Sequence, residues 1–168
     1  MKHKVERKQP NSKMCFICGL KNKFGLKASF FETERNENIA IFKPCEEHQG
    51  YPGRLHGGIA AAILDETIGR AITIGKAEDV WGVTLELSIK YKKPVPIGEE
   101  IKAIGRITSI KNRVFEGTGE IILPNGDIAV IAEGKYLLLP IEKIADFDLH
   151  INEWQRVSSP SDPKIIDT

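Results

Sequence analysis

A single carboxylate set inside an apolar helical run, nine residues after a histidine that is followed by two glycines, is the arrangement in this chain with the clearest chemical potential. The run is LHGGIAAAILDETIGRA, Leu55 to Ala71, and the carboxylate is Asp65. At about 100° per residue, Ile59, Ala60, Ala61, Ile63, Leu64, Ile68, Ala71, Ile72 and Ile74 cover more than half of the helix circumference, as in a helix buried on most sides. Asp65 falls at the edge of that arc, whereas Glu66 turns towards the polar sector. Gly57 and Gly58 leave the first backbone N–H groups of the helix open to close approach. Such donors, with the positive end of the helix dipole, suit a carbonyl oxygen gaining negative charge. The same residues also fit a tight helix entry with a satisfied core carboxylate.

The remaining chain must position that helix. Its 168 residues suffice for one domain with a sizeable core. Lys plus Arg number 24 against 23 for Asp plus Glu, so a net charge of +1 gives no reason to expect a nucleic-acid surface. The basic N-terminus lacks the apolar core of a signal peptide, and no window has the apolar length to span a bilayer. The expectation is a cytoplasmic protein with no membrane partner. Three cysteines, an odd number, do not form a secreted disulfide framework.

Residues 1–14 are polar and charged and read as a mobile N-terminal arm. In CFICGLKNKFGL, Cys15 and Cys18 are three apart, and Cys45 and His48 repeat that offset. A Cys3His zinc site is arithmetically open, beside the commoner alternative of reduced, packed cysteines with no metal. Strands are expected over Leu26–Thr33 and Asn38–Lys43, then a loop KPCEEHQGYPGR that carries His48 and Gln49 to the helix start.

After a break over 75–79, Val80–Tyr91 alternates, with Leu85, Leu87, Ile89 and Tyr91 on a packed face and Thr84, Glu86, Ser88 and Lys90 on a polar one. Further strands are expected over Ile101–Ile110, Arg113–Leu123 and Ile128–Leu139, the last pair joined by an Asn125-Gly126 hairpin turn. Short links favour antiparallel neighbours. Two strands, one apolar helix and four strands imply an α+β fold in which the sheet curls about the helix. Beyond Pro140, a surface tail is expected, in which Asp146, Asp148 and His150 are not read as a metal site.

HGGIAAAILDE, then GVTLELSIKYKKPVPIGEEIKAIGRI and NGDIAVIAEGKYLLL, with the lead-in CFICGLKNKFGL and the loop HQGYPGRLHGG, resemble the hotdog-fold acyl-CoA thioesterases of the PaaI-like branch. The resemblance covers about Cys15 to Leu139 and implies a hotdog domain over 15–140 with a C-terminal extension over 141–168. It also implies a homodimer or a homotetramer built as a dimer of dimers, with active sites at the dimer interface. Position by position it makes Asp65 the catalytic carboxylate and Gly57 and Gly58 the carbonyl-binding helix start, with His56 beside it. It makes Thr84 a hydroxyl supplied by the partner subunit, and His48 and Gln49 then border the substrate. The implied reaction is hydrolysis of an acyl-CoA thioester to CoA and a carboxylic acid, with Asp65 as general base or nucleophile and no cofactor. Lys90, Lys92, Lys93, Lys111 and Arg113 are available to CoA phosphates. The alternative of another class is an acyl-CoA-binding sensor or carrier without catalysis.

Overall fold

The computed structural model describes residues 1–75, 81–146, 148 and 150–168. Val80 and the break expected over 76–79 lie outside the described residues.

The apolar run forms α1, Gly57–Arg70, and continues into one tighter turn over Ala71–Thr73. Ala60, Ile63, Leu64 and Ile68 are buried, as their spacing requires. Each of the larger three contributes about 1.5–3 kcal/mol of burial. Thr67 completes this face because its hydroxyl donates to the Ile63 carbonyl at 2.6 Å, which removes the cost of burying it.

Among the described residues eight strands form one sheet, of which β3 to β7 pack on the helix: β1 Lys2–Lys8, β2 Ser29–Thr33, β3 Asn38–Phe42, β4 Trp81–Tyr91, β5 Ile101–Lys111, β6 Val114–Ile122, β7 Ile128–Leu139 and β8 Ile165–Asp167. Their order across the sheet is β4-β7-β6-β5-β3-β2-β1-β8, and every neighbouring pair is antiparallel. The β6–β7 turn uses Gly126 at φ +84°, the left-handed conformation for which the Asn-Gly pair was read. This is the α+β hotdog arrangement, one long helix held in a curled antiparallel sheet.

Two glycine-bearing strands let the helix sink into the sheet. A Cβ on Gly105 of β5 would lie 2.5 Å from the Thr67 carbonyl oxygen and 2.9 Å from the Ile68 Cα. On β6, a Cβ at Gly117 or Gly119 would meet the Ile68 side chain at 2.6 or 2.9 Å. The side-chain amide of Asn38, on β3, donates to the Thr67 carbonyl at 3.0 Å and ties the helix to the next strand.

Residues 1–14, expected as an arm, and part of 141–168, expected as a tail, instead extend the sheet. His3 is buried, its Nδ1 2.7 Å from Glu37 Oε2 and its Nε2 2.8 Å from the Thr168 hydroxyl. Arg156 donates to the Lys8 carbonyl, and Lys8 pairs with Asp162 at 2.6 Å. Ile166 of β8 is buried in a small cluster with Phe31, Ile39, Ile104 and Val5, but these strands are too short and too polar otherwise for hydrophobic periodicity to announce them.

Gly105→Ala should lower stability by about 1–3 kcal/mol, because its Cβ meets helix backbone that cannot rotate away. Thermal and urea denaturation would measure the loss; a wild-type midpoint in the variant would contradict this packing.

Candidate active site

Asp65 lies half-buried on α1, and its Oδ1 accepts a hydrogen bond from the Thr84 hydroxyl at 2.9 Å. Simple alternation placed Thr84 on the polar face of β4, and a bulge reverses that. Thr84 pairs with Tyr136 and Glu86 with Lys135, leaving Leu85 as the extra residue. Leu85 is accordingly 54% exposed, while Thr84 turns to the helix side with Leu87 and Ile89. The resemblance assigned Thr84 to a partner's site, yet it meets Asp65 of its own chain. Tyr136, buried and stacked on Phe115 with ring centroids 4.8 Å apart, donates its hydroxyl to the Asp65 carbonyl at 3.2 Å and fixes this helical turn. Burial pushes the Asp65 carboxyl above the usual carboxylate range, opposed by the Thr84 hydrogen bond and reinforced by the neighbouring Glu66 charge.

The helix start is built differently from its sequence reading. His56 is the N-cap, and its Nδ1 accepts from Gly58 N–H at 2.9 Å, so that donor is already used. The Gly57 N–H keeps no acceptor among the described residues, and the geometry assigns the neutral His56 proton to the exposed Nε2. The open donors at this helix end are thus the Gly57 N–H and the His56 Nε2–H. Gln49 bridges to Leu55, the residue before His56, and its Oε1 accepts from Gly53 N–H at 3.2 Å.

His48, expected to border the substrate, is buried and fully engaged. Its Nδ1 accepts from Cys45 N–H at 3.0 Å and its Nε2 faces the Phe24 carbonyl at 2.8 Å. It fastens one loop to another. The four possible zinc ligands do not gather either: among the described residues, Cys15 and Cys18 lie with Glu66, whereas Cys45 Sγ is 3.2 Å from His48 Nδ1.

Asp65 and Thr84 open onto a cavity of about 470 Å³ whose wall includes Met14, Trp81, Tyr136 and Trp154. Cys15, Cys18, Glu66 and Arg70 also line it, and His56, Gly57 and Gly58 do not. Glu66, expected near solvent, forms an ion pair with Arg70 at 2.9 Å, covered by the chain before β2. No apolar periodicity marks that cover. With a rise of 1.5 Å per residue, Gly57 and Asp65 stand about 12 Å apart along α1, too far to act on one carbonyl within one chain.

Comparison with known proteins agrees with this architecture. Residues 52–130 match the family model described as Thioesterase superfamily. The mouse (Mus musculus) acyl-coenzyme A thioesterase THEM4 is 33% identical over 87 residues, 51% of this chain and 36% of that protein. The chain thus spans only about a third of that relative's length. Among solved structures, the thioesterase superfamily protein RHA08564 is 29% identical with a TM-score of 0.59, over 66% of this chain and 53% of that one. A Bacillus halodurans protein crystallised with CoA gives 23% identity and a TM-score of 0.55, over 60% and 66% of the two chains. Helix α1 and the strands that enclose it therefore have the hotdog fold, and residues 52–130 are similar to the thioesterase superfamily.

Proposed function

We propose that this protein is an acyl-CoA thioesterase in which Asp65 of one chain and the helix start of a second copy act on the same thioester. The carrying observation is Asp65 itself: a half-buried carboxylate, oriented by Thr84, at a cavity large enough for an acyl group. The named activity of THEM4 supports the substrate class.

Thr84 occupies Oδ1 and leaves Oδ2 for the reaction. Oδ2 either removes a proton from water as water attacks the carbonyl carbon, or attacks that carbon itself. In both cases the C–S bond breaks, CoA leaves as its thiolate and takes up a proton, and water supplies the oxygen of the released acid. The raised pKa strengthens Asp65 as a base. The second chain's Gly57 N–H, with His56 Nε2–H beside it, meets the carbonyl oxygen as negative charge develops. A dimer is the smallest assembly that supplies both halves.

Asp65→Asn should lower turnover about 10²–10⁴-fold, measured as thiol release from a panel of short, long and aromatic acyl-CoAs. Burial costs the charged form, so this group weakens the fold as pH rises from the ordinary carboxylate range through its raised pKa. The asparagine variant should therefore melt no lower than wild type at neutral pH. Wild-type turnover in the folded variant would end the assignment. Binding without thiol release from the wild-type chain would favour a sensor or carrier.

The pH profile gives a separate check. Activity needs ionised Asp65, so the acid limb should lie above the usual carboxylate range. Thr84→Val removes a hydrogen bond that lowers this pKa, and the limb should move to higher pH. A limb that stays in place would detach Thr84 from the reacting carboxylate.

A further inference from the structure

Across the Asp65 cavity, four side chains close into a ring. The Cys15 thiol donates to Glu66 Oε2 at 3.2 Å, Glu66 pairs with Arg70 at 2.9 Å, and Arg70 Nη2 donates to Cys18 Sγ at 3.1 Å. The two sulfurs lie within 4.8 Å of each other and of the carboxylate oxygen. They belong to one turn, closed by Gly19 N–H on the Cys15 carbonyl at 2.8 Å, so the spacing suits a disulfide between its ends. Both residues line the cavity wall, Cys15 half-buried and Cys18 with 1% of its surface exposed.

The two thiols are unlike. Cys18 is held by Arg70 and by Ser12 Oγ at 3.4 Å. Cys15 receives the backbone N–H groups of Ile17 and Cys18 at 3.3 and 3.5 Å and faces a carboxylate. The Cys15 hydrogen bond and the Arg70 charge lower the Cys18 pKa; the same hydrogen bond, burial and Glu66 raise that of Cys15. A stabilised thiolate beside a protonated partner is the division of labour that thiol exchange requires. Arg70, whose side chain is 10% exposed and whose guanidinium lies 4.3 and 4.8 Å from the Phe30 and Trp154 rings, already supplies the cation that a metal would bring.

We propose that Cys15 and Cys18 form a thiol–disulfide exchange site on the cavity wall, with a small disulfide such as that of glutathione as its substrate. The Cys18 thiolate attacks one sulfur of the small disulfide, whose S–S bond breaks and releases one thiolate. Cys15 gives its proton to Glu66, and its sulfur attacks Cys18 Sγ, breaking the mixed disulfide. The second small thiolate departs and, like the first, takes up a proton. Two cysteine thiols are oxidised by two electrons, and one small disulfide is reduced to two thiols. Glu66 directly follows Asp65 on α1, so loss of its thiol donor is transmitted to the carboxylate of the other site. The exchange chemistry itself does not depend on the thioesterase reading.

The test is to equilibrate the full chain with graded ratios of reduced and oxidised glutathione, alkylate free thiols and locate every linkage by peptide mass spectrometry. The expected product is a Cys15–Cys18 disulfide, reversed by reduced glutathione. A Cys15→Ser chain should accumulate glutathione on Cys18; if that variant does not fold, a time course on wild type should show the Cys18 adduct before the disulfide. Alkylation of both cysteines at every ratio, or first attachment of glutathione at Cys15, would overturn the proposal. So would stoichiometric zinc that resists removal in wild type and is lost in Cys18→Ser.

Discussion

Ile68 packs where the sheet carries no side chains, and that close approach sets the depth of α1 and everything the helix displays. Gly117 and Gly119 lie within 3 Å of Ile68 by the position of an added Cβ, and Gly105 faces helix backbone. A protein interior at crystal-like density does not absorb such a displacement locally. Raising the helix by one methyl would lift Asp65 away from Thr84 and strain the Tyr136 contact one residue layer above. The glycines are thus a condition of the site, though none of them touches it.

The bulge at Leu85 has comparable weight. Without the extra residue, β4 would present Thr84 outwards together with Glu86, and Asp65 would lose the hydrogen bond that opposes its desolvation. The same irregularity exposes Leu85 on the strand that forms one end of the sheet. Site formation and the shape of this edge therefore come from a single inserted position.

Much of this was legible in the residues. The helix, the four strands that follow it and the Asn-Gly turn follow from spacing and from positive-φ chemistry, and Asp65 stood out as a carboxylate within an apolar arc. What escaped depended on contacts between distant segments. β1 and β8 pair by backbone over only three residues each, and the contacts of His3 with Glu37 and Thr168 beside them have no hydrophobic signature. Alternation misplaced Thr84 because one bulge reverses every face beyond it. The glycine pair alone suggests that Gly58 N–H is open, whereas the His56 ring two residues earlier accepts from it, as a polar side chain at an N-cap position does. His48 reads as a ligand in sequence and proves to be a loop fastener once both ring nitrogens are located.

The proposed sharing of each reaction between two chains can be tested by complementation. Gly57 is the first residue of α1, a position where proline is accepted while its N–H is removed, and His56 at φ −63°, ψ 134° already has the backbone a following proline requires. Gly57→Pro and Asp65→Asn chains should each be inactive alone. After dissociation and mixing, hybrid dimers should hold one intact site apiece, and about a quarter of wild-type thiol release should return. No recovery from a mixture shown to contain hybrids would contradict the shared site, as would full activity in either parent.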